Sequence, residues 1–173
     1  LVDYTNDIDI KCLYKYFAHH WEHDMKKCKH SGLALIDQIN DMKPRAVLDV
    51  GCGYNEFKGK IHNLIGVDPY NDRADHQIDI MEYRSMEKFD IILARGSINF
   101  GGRNKIIAEV SKCVNMREDG GMIFFRVNTG VQHDKREARR IELYAWNVTF
   151  DIEVEEMKNL KMLDISDESN KSN

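Results

Sequence analysis

Four short apolar segments in the middle of the chain most constrain its fold. They are AVLDV (46–50), LIGVD (64–68), FDIILA (89–94) and GMIFFRV (121–127). None of them alternates apolar with polar residues, which is typical of strands buried on both faces, as in a parallel sheet. Turn-forming residues and a helical segment separate the four. The pattern therefore predicts one α/β domain with an open, mostly parallel sheet.

Segments with helical spacing surround and connect these strands. The predicted helices span residues 10–28, 32–41, 103–117 and 133–146, and EDGG at 118–121 is expected to end the third. Between the first two strands, EFKGKIHN (56–63) has room for about two helical turns. Near the C-terminus, VTFDIEV (148–154) alternates strictly and LKMLDI (160–165) is its predicted hairpin partner. This late pair is expected to be antiparallel.

The composition indicates one globular protein without a dominant charge. The 173 residues carry a net charge of -4, so no global basic field attracts nucleic acid. No window approaches the roughly 18 apolar residues that span a bilayer, and the acidic start LVDYTNDIDI does not resemble a signal peptide. The four cysteines form no C-x-x-C pair, which argues against a zinc site and a disulfide scaffold. We therefore expect a reducing, cytoplasmic setting and no membrane partner.

Two glycines and an acid mark the predicted ligand-binding edge of the sheet. Gly51 and Gly53 directly follow the first strand, and Asp68 closes the second. Ligands of such sheets bind at the carboxyl ends of the strands, where an acid accepts hydrogen bonds from ribose hydroxyls. The loop GCGYNEF lacks the Lys-Ser/Thr of a P-loop, so hydrolysis of ATP or GTP is not expected.

Asp49 distinguishes between the remaining nucleoside ligands. It lies two residues before Gly51, close to where a dinucleotide would place its pyrophosphate. Negative charge is unfavourable there, because the pyrophosphate binds at the positive end of a helix dipole. A cationic amino group or a sulfonium would instead be stabilised. The loop therefore favours an amino-acid-bearing nucleoside over a diphosphate.

The order of these motifs resembles a known enzyme family. VLDVGCG, IGVD, QIDI, FDIILARGSINF and REDGGMIFF resemble, in sequence, the signature segments of class I S-adenosylmethionine-dependent methyltransferases. The resemblance covers residues 43–127, with weaker support to 165. It implies a Rossmann-like domain over 43–165, with helices on both sheet faces. The helical spacing before it predicts a helical cap (1–42), and the polar composition after it predicts a disordered tail (166–173).

The resemblance also implies which residues bind S-adenosylmethionine. Asp49 would hold the amino group, the glycines would pass under the methionine part, Asp68 would bind the ribose, and Asp79 would accept from the adenine amine. The full implied set is Asp49, Gly51, Cys52, Gly53, Asp68, Pro69, Asp79, Ile80, Arg95 and Gly96. Weaker candidates for facing the methyl acceptor are Ser97, Asn99, Phe100 and Asn128. The sequence identifies no catalytic base and no metal ligands.

Two departures from the family pattern affect the fold. Asn55 occupies the position of the third glycine. Only 11 residues separate Asp68 from Asp79, too few for the usual helix and strand. We therefore expect the second crossover helix to be lost or reduced to a turn, so that the crossovers are pared down.

Several residues have simpler structural interpretations. Asp79 is also suited to capping a turn, and Cys52 to packing inside its loop rather than acting as a nucleophile. Phe17 is expected to be a core residue that packs the N-terminal helix. The alternative is that its ring covers the cofactor pocket as a roof. His19 and His23 are four apart on that helix, but without a third ligand a solvated face is favoured over a metal site.

The one dense basic cluster is the remaining hint of a polyanionic partner. It comprises Lys135, Arg136, Arg139 and Arg140, with Glu137 and Glu142 offsetting part of the charge. A solvated helix face is favoured over an anion-binding rim. Nucleic acid is thus an unlikely but open partner, and the oligomeric state is not indicated.

The sequence favours a methyltransferase and leaves its acceptor open. Methyl transfer needs mainly alignment of the nucleophile and the methyl group, so the lack of an obvious base does not argue against an enzyme. ARGSINF (94–100) lacks the Asn/Asp-Pro-Pro-aromatic signature of amino-directed nucleic-acid enzymes. A small molecule or a protein side chain is favoured over DNA. The alternatives are a catalytically silent cofactor-binding domain or partner subunit, an aminopropyl transferase, and a nicotinamide oxidoreductase.

Overall fold

The computed structural model describes residues 17, 32, 33 and 35–127. In chain order its elements are α1 (Leu35–Asp41), β1 (Val47–Val50), β2 (Leu64–Val67), β3 (Phe89–Arg95), α2 (Arg103–Met116) and β4 (Arg117–Arg126). The predicted helices at 10–28 and 133–146, the late strand pair and the C-terminal tail lie outside the described residues, apart from Phe17. The two predicted domain boundaries, at 42/43 and 165/166, stay predictions.

The four strands form one parallel sheet in the order β2-β1-β3-β4. The chain runs from β1 outward to β2 and then crosses back to β3 on the other side of β1. Strand order therefore reverses at β1, and a crevice forms between the carboxyl ends of β1 and β3, where open α/β sheets bind their ligands. The predicted open, mostly parallel α/β sheet is confirmed.

Both faces of β1, β2 and β3 are largely buried, as their unbroken apolar runs predicted, whereas the residues of β4 are half-buried or exposed. Successive side chains of a strand point to opposite faces. Leu48 and Ile92 pack on the face covered by α2, whereas Val47 and Ile91 pack with Ile39 on the face covered by α1. Helices thus lie on both faces, as expected. Neither helix in the described part of the chain has the length and apolar character needed to cross a membrane.

The segment predicted as a short helix, residues 56–63, forms turns instead. One α-type hydrogen bond, from the Ile61 N–H to the Phe57 carbonyl at 3.0 Å, joins two residues whose side chains are both buried in the core. Gly59, between them, has a φ of 77°, far from the helical region. The helix prediction is wrong here because a left-handed residue interrupts the turn after one hydrogen bond.

The second crossover is reduced, as the 11-residue spacing predicted. Residues 69–88 form turns and bends without a helix. Val67 and His76, which directly precedes QIDI (77–80), form one isolated parallel bridge. FDIILA is therefore the next strand of the described sheet after β2, because residues 69–88 build no further paired strand.

The end of α2 differs from the prediction. The helix ends at Met116, and the Arg117 N–H caps it by donating to the Cys113 carbonyl as β4 begins. EDGG (118–121) lies within β4, where the pairing register with β3 shifts. A side chain on Gly121 would lie 2.7 Å from the Asp90 carbonyl oxygen. EDGG is thus an irregular strand segment that needs glycine for close backbone approach, and not the turn that ends the helix.

Candidate functional site

The glycine loop and the loop after β3 meet at the crevice between β1 and β3. Gly51 and Gly53 have φ values of 67° and 56°, a region that favours glycine. The Gly51 N–H donates to the Val67 carbonyl at 2.8 Å, which ties the loop to the end of β2. A Cβ on Gly51 would collide with the Ser97 side chain. The glycines therefore permit both the turn and the close approach of two loops that are distant in sequence.

Asp49 and Arg95 form a buried ion pair across the carboxyl ends of β1 and β3. The Arg95 Nη2 lies 3.5 Å from Asp49 Oδ2, and the Asp49 side chain is 1% exposed. The Arg95 guanidinium also stacks on the Phe57 ring, 3.7 Å from its centre. Asp49 Oδ1 has no hydrogen-bond partner among the described residues. The carboxyl group at the base of the crevice is therefore only partly compensated by the protein.

Burial raises the pKa of Asp49 from its ordinary value of 3.8 to about 6, although Arg95 opposes the shift. The folded state therefore holds a proton that the unfolded state has released between about pH 4 and pH 6. We expect the free energy of unfolding to fall by about 3 kcal/mol as the pH rises through this window, at 1.36 kcal/mol per pKa unit. In Asp49→Asn this contribution is absent.

The check is urea denaturation of the ligand-free protein and of Asp49→Asn between pH 4 and pH 7. The difference between the two curves isolates Asp49 from other acids with raised pKa values. A difference that does not change with pH would contradict the raised pKa of this group.

Asp68 joins the glycine loop to the end of β2. Its Oδ2 accepts from the Gly53 N–H at 3.0 Å, and its Oδ1 accepts from the N–H groups of Tyr70 and Asn71 at 2.8 and 3.0 Å. Burial raises the pKa of Asp68, and these three hydrogen bonds oppose the shift. A carboxylate offers about four lone-pair positions. Asp68 therefore holds the loop and retains an acceptor position for a ligand hydroxyl.

Asn55 accounts for the missing third glycine. It has a φ of 56°, a left-handed conformation that asparagine tolerates better than most residues. Its Nδ2 donates to the Arg73 carbonyl at 3.0 Å and lies 3.4 Å from Asp75 Oδ2. Asp75 in turn accepts from the Gly66 N–H at 2.8 Å. Asn55 thus links the glycine loop to the reduced second crossover, which a glycine could not do.

Two substitutions of Asn55 separate the contribution of its side-chain hydrogen bond from that of its left-handed conformation. We expect Asn55→Gly to lose about 1 kcal/mol of unfolding free energy, the value of one hydrogen bond. Asn55→Ala should lose about 1 kcal/mol more, because alanine is strained at positive φ. Urea denaturation of the two variants checks this order. Equal losses would mean that the left-handed conformation relaxes and contributes nothing.

Cys52 is a packed residue of the glycine loop. It is 6% exposed. A Cβ on Gly66 would lie 2.8 Å from its Sγ, so loop and strand are in close contact here. Burial raises the pKa of the Cys52 thiol, which makes a thiolate nucleophile unfavourable. The packing interpretation is therefore supported, and a cofactor contact stays a prediction for the backbone of this residue.

Asp79 and Ile80 lie in a turn within the second crossover. Asp79 Oδ1 accepts from the Met81 N–H at 2.8 Å, and the Asp79 carbonyl accepts from the Tyr83 N–H at 2.9 Å. Asp79 therefore does cap a turn. Ile80 is 5% exposed and belongs to the core under α2. An adenine contact for these residues stays a prediction.

The loop after β3 contains the candidates for facing a methyl acceptor. The Ser97 Oγ is buried and has no hydrogen-bond partner among the described residues. Asn99 is 5% exposed. Phe100 lies edge-to-face against Phe17, with ring centres 5.1 Å apart, and Phe17 stacks on Tyr70 at 5.5 Å. Phe17 thus lies over the loops that follow β2 and β3, which favours the roof interpretation.

Two groups of predicted residues cannot be placed. Asn128 and the basic cluster Lys135, Arg136, Arg139 and Arg140 lie outside the described residues. Among residues 17, 32, 33 and 35–127, no cluster of three His, Cys, Asp or Glu residues could hold a metal ion. The sequence interpretation missed Glu109, a buried acid on α2 that is 4% exposed. Its position three residues after Ile106, on the apolar stripe of the helix, was the available signal.

A cavity of 420 Å³ lies at the opposite, amino-terminal edge of the sheet, lined in part by Pro44, Asp90 and Glu118. Arg45 crosses it and pairs with Asp90 at 2.9 Å. This cavity is open, and its charged groups are exposed or already paired with each other. We therefore assign the ligand-binding role to the crevice at the carboxyl edge, where buried polar atoms are under-compensated.

The fold is the Rossmann-like fold of class I S-adenosylmethionine-dependent methyltransferases, as three solved structures indicate. The 1,6-didemethyltoxoflavin-N1-methyltransferase of Burkholderia thailandensis, solved with its substrate and S-adenosylhomocysteine, has a TM-score of 0.62 and 15% identity, covering 85% of this chain and 76% of that one. The N-methyltransferase NodS of Bradyrhizobium japonicum WM9 has a TM-score of 0.50 and 18% identity, covering 71% and 78%. The sugar N-methyltransferase KedS8 of Streptoalloteichus sp ATCC 53650 has a TM-score of 0.50 and 18% identity, covering 64% and 55%.

These similarities are structural. The chain spans about half the length of several other methyltransferase structures that it matches. No protein-family model matches the sequence, and no curated protein matches it significantly. The identities of the three structures lie at 15–18%, so the likeness establishes the fold, and the activity has to be argued from the site.

Proposed function

We propose that this protein is an S-adenosylmethionine-dependent methyltransferase. The observation that carries the proposal is the buried Asp49 carboxyl group beside the glycine loop, with one oxygen lacking a partner among the described residues. A buried, under-compensated carboxylate stabilises a cationic ligand group and disfavours a pyrophosphate. The fold supports the proposal, because the three similar structures are methyltransferases and one was solved with S-adenosylhomocysteine.

The residues at the crevice fit the cofactor's chemical groups. Asp49 would accept from the ammonium group of its methionine part, and the Arg95 guanidinium, already beside Asp49, would face the carboxylate. Gly51 and Gly53 present bare backbone to that part of the ligand. Asp68 would bind the ribose hydroxyls through its remaining acceptor position. The cofactor supplies an electrophilic methyl group on a sulfonium.

The protein's own contribution is alignment and exclusion of water. Asp49 and Asp68 fix the two ends of the methionine and ribose parts from adjacent strands, which holds the ligand in one register. Phe17 lies over Tyr70 and Phe100 at the edge of the crevice. An apolar cover of this kind excludes water from the reacting groups. Holding the methyl group and the acceptor close together in the right orientation accounts for much of the rate of a displacement reaction.

We propose a small molecule or a protein side chain as the methyl acceptor. The loop after β3 reads RGSINF (95–100) and lacks the signature of enzymes that methylate amino groups of DNA. The similar Burkholderia and Streptoalloteichus enzymes, by their names, methylate a toxoflavin precursor and a sugar. These names favour a small-molecule acceptor. We keep Ser97, Asn99, Phe100 and Asn128 as the residues proposed to face it.

Calorimetry tests the cofactor. We expect micromolar binding of S-adenosylhomocysteine and no binding of NAD. Binding of NAD instead would overturn the proposal and favour an oxidoreductase. Transfer of a radiolabelled methyl group from S-adenosylmethionine into lysate fractions then tests the activity. Incorporation into no fraction, together with tight cofactor binding, would favour a catalytically silent domain or a partner subunit.

We also propose a reducing, cytoplasmic setting. Cys52 and Cys113 are both free and buried. Proteins of oxidising compartments more often pair their cysteines in disulfides. Fractionation of cells that express the protein at native level tests this proposal, and recovery in a secreted fraction would contradict it.

A further inference from the structure

The reduced second crossover brings α2 into direct contact with the turn that holds Asp79. Ile80 and Tyr83 of this turn share one core cluster with Ile106 and Val110 of α2. Residues 81–88 form turns and bends, so no helix separates the two. The buried face of α2 therefore lies against the segment proposed to meet the adenine.

Glu109 lies on this buried face, and only one of its two carboxyl oxygens has a hydrogen-bond partner among the described residues. Its side chain is 5% exposed, and its Oε1 accepts from the Lys105 Nζ one turn earlier on the helix. Its Oε2 is buried and has no hydrogen-bond partner among the described residues. An acid that is buried in an apolar helix face and left half-satisfied is costly to the fold. A ligand that completes its hydrogen bonds would remove that cost.

The charges around Glu109 place it in the same environment as the proposed cofactor residues. Burial, and then the charge of Asp79, raise the pKa of Glu109 to about 7, against the opposing effect of Lys105. Burial, followed by the charges of Asp79, Asp68 and Glu109, raises the pKa of Tyr70 to about 12. On its own helix Glu109 also faces Cys113. The acid therefore interacts electrostatically with groups from the ends of β2 and the second crossover.

We propose that Glu109 is a further binding residue of this site and that, together with Asp79, it recognises the nitrogen-bearing edge of the adenine ring. The inference rests on the proposed function. Adenine presents an acceptor nitrogen beside an exocyclic amine donor. A protonated carboxyl group donates through its O–H and accepts through its other oxygen, which matches that pair. An ionised carboxylate only accepts, so recognition of adenine weakens when Glu109 loses its proton.

The test compares two ligands that differ only at this edge of the base. S-adenosylhomocysteine carries adenine, and S-inosylhomocysteine carries hypoxanthine, in which an oxygen replaces the amine and N1 carries a hydrogen. A neutral carboxyl group or amide can pair with either edge, whereas an ionised carboxylate accepts from the hypoxanthine N1–H and repels the N1 lone pair of adenine. Calorimetry gives the ratio of their affinities for the full chain. We expect the wild-type preference for adenine to fall as the pH rises through about 7. Glu109→Gln, whose amide also donates and accepts, should keep the preference and remove its pH dependence.

A second variant removes the polar group altogether. Below about pH 7, Glu109→Met should weaken S-adenosylhomocysteine about tenfold, and the preference between the two ligands should no longer change with pH. The matched control is Glu82→Gln, an exposed acid of the same turn, which should leave both affinities unchanged. If Glu109→Met does not fold, the wild-type and Glu109→Gln pH profiles still decide the question.

Three results would overturn the inference. One is a preference that still changes with pH in Glu109→Met, which assigns the titration to another group. Another is a wild-type preference that does not change with pH. The third is an unchanged affinity of Glu109→Met for S-adenosylhomocysteine while Asp68→Ala abolishes binding, in which case the proposed function stands and only the role of Glu109 falls. A wild-type protein that binds neither ligand removes both proposals.

Discussion

Asp68→Ala is expected to weaken S-adenosylhomocysteine binding at least about 100-fold. Hydrogen bonds to a charged group contribute about 1.5–3 kcal/mol each, and each 1.4 kcal/mol is tenfold in affinity. The variant loses the proposed ribose acceptor and also the anchor of the glycine loop, because the Gly53, Tyr70 and Asn71 N–H groups all donate to this carboxylate. Calorimetry at low temperature measures the loss.

The matched control for this variant is Asp72→Ala. Asp72 lies four residues later and is exposed, so its removal should change neither binding nor stability. Thermal denaturation of both variants verifies that the protein is folded at the temperature of the binding measurement. Asp68→Ala should have the lower melting temperature, because three backbone donors lose their acceptor. Wild-type affinity in a folded Asp68→Ala protein would exclude the assigned ribose contact.

Gly51→Ala is expected to have the largest effect on stability, a loss of about 2–5 kcal/mol of unfolding free energy. A residue with a Cβ at a φ of 67° costs roughly 1–2 kcal/mol. The added Cβ would also collide with the Ser97 side chain and lie 3.4 Å from its Cα. Overpacking of this kind typically costs about 1–3 kcal/mol. Urea denaturation gives the total.

Gly59→Ala is the matched control for the backbone contribution. Gly59 has a similar φ of 77°, but a Cβ there would meet nothing within 4 Å. We expect this variant to lose only the roughly 1–2 kcal/mol that positive φ costs. Ser97→Gly should restore part of the stability of Gly51→Ala by removing the colliding atom. If the two alanine variants are equally destabilised, the loops after β1 and β3 are not in tight contact.

The strands could be predicted because their cause is local. An unbroken run of apolar residues has no solvated face, so it is stable only when it is covered on both sides. Three of the four runs match β1, β2 and β3 to within a residue. The fourth strand starts four residues earlier than predicted, at Arg117. Its start depends on a cap and on a register shift against β3, which no local pattern encodes.

The helix predictions failed where glycine conformation decided the outcome. EFKGKIHN has helical spacing between Phe57 and Ile61, and both side chains are buried as a helix would place them. The left-handed Gly59 between them limits the segment to one turn. Glycine adopts both signs of φ at little cost. A local sequence pattern therefore does not determine which sign of φ Gly59 adopts.

The residues of the candidate site also divide into those that a local sequence pattern identified and those that only the tertiary structure revealed. The acid–glycine motif around Asp49 and the acid Asp68 were identified from their positions at strand ends. Glu109 was missed, since one acid on an apolar helix face matters only when its burial is known. Phe17 was expected chiefly as core, and its stacking on Tyr70 depends on how a distant segment packs.

The sequence by itself determined three of the four strands, the order of the motifs and the negative charge of Asp49 just before the glycine loop. These follow from burial pattern and from residue type within a few positions. The tertiary structure alone decided that Arg95 pairs with Asp49, that Ser97 packs against Gly51, and that α2 meets the turn of Asp79. Each of these contacts joins residues that are far apart in the chain. They exist because strand order reverses at β1 and because the short second crossover leaves no helix between them.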